Sequence, residues 1–117
     1  MRRLYHLALE QDWARAAGGA DYDRSSIGRS LADEGFIHCS FAEQVQAVAD
    51  RFYRERADVI LLEIDAGALR SPVKIEPVPG GETFPHIYGP LKREAVIRAV
   101  PVRLLPDGRL DIPAAIE

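Results

Sequence analysis

The chain has 117 residues, 47% of them hydrophobic and 28% charged, which is one domain's worth of ordinary globular composition, well away from that of disordered chains. A net charge of −3 and a pI near 5.6 leave no overall positive field, so nucleic acid is not an expected partner. The single cysteine, Cys39, excludes an intrachain disulfide and a cysteine-rich zinc site, while the short apolar run behind Arg2 and Arg3 and the absence of an eighteen-residue apolar stretch predict neither signal peptide nor membrane span. A cytoplasmic location and one α+β domain over residues 1–117 are the expectations.

Residues 4–9 are an apolar run that reads as a strand, and residues 10–17 turn to helix formers that Gly18 and Gly19 should stop. Residues 20–34 are polar and serine-rich, a loop with a helical turn near 30–34. Gly35 opens a strand-like run over residues 36–40. Ser40 and Glu43 have capping-box spacing ahead of an apolar stripe of Phe41, Val45, Val48, Ala49 and Phe52, which predicts a helix over residues 41–56 with that stripe in the core. Asp50 and Arg54 then form an outward i,i+4 pair.

The run from Val59 to Leu62, inside residues 57–65, predicts an interior strand, and residues 73–78 a further strand closed by Pro79, Gly80 and Gly81. Residues 95–105 read as a long strand that Pro101 confines to an edge or a bulge. Leu105, Pro106, Asp107 and Gly108 have type I turn chemistry, so residues 110–112 should pair back.

All three histidines lie in apolar or aromatic strand-like segments. Alternation puts His6 on a face with Leu4 and Ala8, His38 with Phe36 and Ser40, and Cys39 on the opposite side, buried and chemically quiet. His86 and Tyr88 share a side of a segment constrained by Pro85 and Gly89. These positions suggest a pocket lined by His6, His38 and Tyr88, with His86 near its rim or fixing the loop that carries Tyr88. The alternative is three separately buried histidines, each tied to a backbone carbonyl.

The motif Glu34 to Ser40, then Gln44, Ala49 and Phe52, then Phe84 to Leu91, together with Tyr5, His6 and Trp13, resembles the family called domain of unknown function 952 over nearly the whole chain. The resemblance implies an ADP-ribosyltransferase-like fold, a split and mostly antiparallel β-sheet with two main helices, and nicotinamide adenine dinucleotide as cofactor. It assigns catalytic positions to His6, to His38 or Ser40, and to Glu82, with Glu76 as an alternative late acid, and ligand contacts to His6, His38, Ser40, His86 and Tyr88. The function expected is a nucleotide-binding enzyme acting at a glycosidic carbon. Two alternatives stand beside it: a non-catalytic module for a small ligand or partner protein, and a hydrolase using His6, His38 and His86 as a zinc site. Nothing in the sequence sets an oligomeric state.

Overall fold

The computed structural model describes residues 3–17 and 21–113. Gly18 and Gly19, read above as the stop of the first helix, and Arg2 lie outside the described residues. Strand β1 (Arg3–Leu9) runs directly into helix α1 (Glu10–Ala17), as the change from apolar run to helix formers predicts. A short hairpin follows, β2 (Arg24–Ser26) with β3 (Arg29–Ser30), and helix α2 (Leu31–Glu34) grows from it. Ser30 caps this helix reciprocally: Asp33 N–H donates to Ser30 Oγ at 3.1 Å, and Ser30 N–H to the Asp33 carboxylate at 3.0 Å. Gly35 ends it at φ 87°, a left-handed conformation that suits glycine, with its N–H on the Leu31 carbonyl.

Strand β4 (Ile37–His38) leads through a 3-10 turn (Ala42–Gln44) to helix α3 (Val45–Phe52). Then come β5 (Val59–Asp65), β6 (Val73–Pro77), β7 (Thr83–Ile87), β8 (Val96–Pro101), and the pair β9 (Arg103–Leu104) and β10 (Leu110–Asp111). All the ladders are antiparallel. Two three-stranded sheets dominate, in the orders β1-β5-β8 and β4-β7-β6. Pro101 falls at the end of an edge strand, and Gly108 N–H closes the turn onto the Leu105 carbonyl at 3.0 Å, both as predicted.

The β1–β5 pair is buried on both faces, which explains its nearly unbroken apolar sequence. One face, with Leu4, Ala8, Leu62 and Ile64, packs against Ile37 and Ile87 of the other sheet. The opposite face, with Tyr5, Leu7, Leu9 and Leu61, receives Val45, Ala49 and Tyr53 from α3 and the end of that helix. The chain crosses between the sheets at residues 37–40. Ile37 and His38 pair with β7, and Ser40 then exchanges backbone hydrogen bonds of 2.7 and 2.8 Å with Tyr5 of β1.

Three expectations around α3 are corrected by this crossing. Ser40 is not the helix cap, because its backbone bridges to Tyr5. The chain enters the 3-10 turn one residue later, and the Gln44 side chain accepts from Phe41 N–H at 2.9 Å. The α-helix is also shorter than residues 41–56. Tyr53 leaves the helical conformation, and Phe52, the last position of the apolar stripe, is 60% exposed rather than core. Asp50 pairs with Gln46 and Arg109, and Arg54 donates to the Asp107 carbonyl, so the Asp50–Arg54 pair does not form.

Candidate functional site

The outer face of the β4-β7-β6 sheet, turned away from the core, is the chemically unusual surface. Register places His38 opposite His86, His86 opposite Lys74, and Phe84 opposite Glu76, so the even-numbered residues of three strands share it. Phe36 lies over the row, stacked on His86 with ring centroids 4.1 Å apart and edge-on to His38 at 4.8 Å. Glu76 organises its far side: His86 Nδ1 is 2.8 Å from Glu76 Oε1, and the Tyr88 hydroxyl donates to the same oxygen. Those two donors hold the Glu76 carboxyl below the usual range, and the same bond pushes the Tyr88 phenol up. His38 Nε2 pairs with Glu34 at 3.2 Å.

Beside this face opens a cleft of about 810 Å³. His38, Cys39, Ser40, Phe84 and His86 line it from the sheet. Gln44, Val48, Arg51 and Phe52 line it from the α3 side, Val78, Gly80 and Glu82 from the β6–β7 turn, and Ser26 and Ile27 from the β2–β3 turn. Gln44 pins Glu82, donating to its carboxylate at 3.2 Å and to the Thr83 carbonyl at 2.7 Å. Arg51 lies 5.2 Å from the Phe52 ring centre and makes no ion pair among the described residues.

His6 is elsewhere. Its ring sits between the two sheets, fully buried, and does not line the cleft. Nδ1 is 2.5 Å from the His38 carbonyl oxygen and Nε2 is 2.8 Å from the Tyr22 hydroxyl. A carbonyl only accepts, so Nδ1 carries the proton and Nε2 accepts from Tyr22. Burial pushes this imidazole down to about 4, so it is neutral near pH 7. The pocket expected from His6, His38 and Tyr88 is therefore corrected: His38, Ser40, His86 and Glu82 meet in the cleft, Tyr88 and Glu76 stand behind His86, and His6 is a tie within the core.

The three-histidine zinc site is not assembled, because both His6 nitrogens are committed to protein partners. Among the described residues no group of three or more His, Cys, Asp or Glu is arranged to hold a metal ion. Cys39 is buried in the core cluster and its burial pushes the thiol far up, away from thiolate chemistry. Glu76 had a readable signal: a β6–β7 hairpin closed at residues 79–81 puts residue 76 on the same face as residue 86. Arg51 had none, since helical spacing alone does not show which face of α3 meets a cleft.

The fold is that of a small domain of mixed helix and antiparallel sheet, with a ligand-sized cleft beside one of its sheets. The chain belongs to the DUF952 family, described as proteins of unknown function, whose model matches residues 7–99. It is similar to the crystal structure of protein CC0527 from Caulobacter crescentus, at 30% identity and a TM-score of 0.85 over 97% of both chains. It is likewise similar to the solution structure of that protein, at 32% identity and a TM-score of 0.78 over 93% of this chain and 91% of the other. No curated protein matches the chain. Among the described residues no helix is long and apolar enough to cross a membrane.

Proposed function

We propose that the protein is an enzyme whose cleft binds a small ligand of the nucleotide class. The observation that carries this reading is the meeting, in one cleft of about 810 Å³, of an Arg51 guanidinium without a carboxylate partner among the described residues and the rings of His38, His86, Phe84 and Phe52. A guanidinium is suited to bidentate contact with phosphate, and ring faces are suited to stacking with a base. In an acidic chain, such a ligand needs a local cation rather than a global field. For chemistry at a glycosidic carbon, as in ADP-ribosyltransferase-like enzymes, Glu82 is the cleft's carboxylate, held in place by Gln44 and suited to developing positive charge. His6 has no part in it.

A thermal-shift panel of nicotinamide adenine dinucleotide, ADP-ribose and adenosine monophosphate tests the reading. Ligand at a hundred times its dissociation constant adds about 2.7 kcal/mol, and Arg51→Ala should remove that gain. A silent panel overturns the nucleotide reading. One observation favours a binding module instead: Phe52 and Ile27, 60% and 37% exposed, both line the cleft and offer apolar side chains to a partner protein.

A further inference from the structure

A buried polar atom ordinarily finds a partner, and His86 is the cleft residue that breaks the rule. Its side chain is 5% exposed, yet Nε2 has no hydrogen-bond partner among the described residues. Phe36 covers one face of the ring and Glu76 engages Nδ1. The ring belongs to the lining of the cleft, and Nε2, which bulk solvent does not reach, is the ring nitrogen left without a partner among the described residues. A carboxylate at Nδ1 fixes the proton on that nitrogen and leaves a lone pair on Nε2. Nothing of this kind holds for His38, which is half-exposed and spends Nε2 on Glu34.

Resting on the reading of the cleft as a ligand site, we infer that His86 is a catalytic residue that takes a proton through Nε2 from a hydroxyl or water of the bound molecule, with Glu76 and Tyr88 as positioning residues. The O–H bond breaks, its electron pair stays on oxygen, and that oxygen becomes the nucleophile while an Nε2–H bond forms. The imidazolium so made faces the ionised Glu76, which fixes the ring and offsets its charge. The same proton then passes to the leaving atom of the ester, anhydride or glycosidic bond that is attacked, and His86 returns to its starting state. Tyr88 holds the second donor bond on Glu76 Oε1, which keeps the carboxylate from swinging away from Nδ1. The other charged or titratable groups around the ring are Lys74 across the strand pair, placed 4.8 Å from the Tyr88 ring centre, and His38, whose ring centre is 5.4 Å away and whose partner is Glu34.

The test uses the full chain, with nicotinamide adenine dinucleotide, ADP-ribose and adenosine monophosphate as probes. Binding is followed by calorimetry, conversion by proton and phosphorus NMR, and the His86 ring by nitrogen-15 NMR. At least one probe that binds should be converted. His86→Gln should lower kcat roughly 100- to 10,000-fold with KM changed far less. Glu76→Gln and Tyr88→Phe, at partly exposed positions that leave the core intact, should lower kcat by smaller factors and mix the two His86 tautomers, which are a single Nδ1–H form in the unaltered protein. A bound probe that is never converted, or a kcat indifferent to both His86→Gln and Glu76→Gln, overturns the inference. So does an N–H found on Nε2. Failure of every probe to bind is failure of the ligand reading instead, and the tautomer measurement, which needs no ligand, still decides for or against the His86 arrangement.

Discussion

His6 of β1 donates through Nδ1 to the backbone carbonyl of His38, 2.5 Å away, at the point where the chain leaves one sheet for the other. With Tyr22 on its other nitrogen, the imidazole is a tie between the sheets, and burial keeps it neutral near pH 7. Replacing it by Ala leaves the Tyr22 hydroxyl without its acceptor and opens a void, so His6→Ala should cost about 2–4 kcal/mol by urea unfolding. Ligand binding should survive at temperatures where the variant is folded.

The same residue sets a pH window. Its folded pKa of about 4 lies below the unfolded value near 6.5, so between them the unfolded chain binds more protons. The contribution is fully present above about pH 6.5 and is lost as pH falls toward 4, on the order of 3 kcal/mol in all. Urea unfolding at a series of pH values should show this fall, and His6→Gln should flatten that part of the curve. An unchanged slope in the variant would assign the acid sensitivity to other groups.

At the start of α3, Gln44 accepts from Phe41 N–H and donates to Glu82 and to the Thr83 carbonyl, which joins the helix entrance to the β6–β7 turn. Gln44→Ala should cost about 1–2 kcal/mol. Ser40→Ala removes no capping bond, since Ser40 is held through its backbone, and should cost less than Gln44→Ala. Equal losses in a denaturation series would restore Ser40 as the cap.

Those residues also show where sequence reading stops. The apolar runs of residues 4–9 and from Val59 to Leu62 mark the two paired strands, because such patterns depend on neighbours along the chain. The Ser40-x-x-Glu43 spacing misled because the competing partner of Ser40 is Tyr5, thirty-five residues away, and no local rule weighs a backbone bridge at that distance. Phe52 continues the stripe by periodicity, but α3 ends there. The β2–β3 hairpin was missed because strands of three and two residues carry no period. At the site, the segments bearing His38 and His86 were legible as chemically odd, and alternation put His6 on a core face. Its partners, Tyr22 and the His38 carbonyl, come from tertiary packing, and they turn a candidate ligand contact into a structural tie.

Cys39 offers a check on how tightly the crossing segment is held. It is 3% exposed, its N–H bonds the Pro85 carbonyl at 3.1 Å, and burial raises its thiol. Reaction with a thiol reagent should therefore need transient opening and be at least about a hundredfold slower than for an unfolded chain. In His6→Ala, which loosens the same crossing, labelling should accelerate. Rapid labelling of the unaltered protein would show that the cleft wall already admits reagent to the sulfur.

A second acid-sensitive element lies on the β1-β5-β8 sheet, where Glu63 of the central strand is flanked by Arg3 and Arg98, each 2.6 Å away. Burial pushes the Glu63 carboxyl up, but the two guanidinium groups outweigh it and hold the carboxyl below its usual range. A depressed carboxylate gives stability that is present above its unfolded pKa, near 4.3, and lost as pH falls below that. This window sits under the one set by His6, so the two can be separated in a single pH series. Glu63→Gln keeps the shape, removes the charge and should cost about 1–2 kcal/mol. Arg98→Ala should cost less than about 1 kcal/mol, because that side chain is roughly half exposed, its partner keeps Arg3, and solvent screens the pair. Unfolding of the three proteins in low and in molar salt completes the comparison. The difference between the unaltered protein and Glu63→Gln should shrink in salt, and a salt-independent difference would mean that Glu63 acts through packing rather than charge.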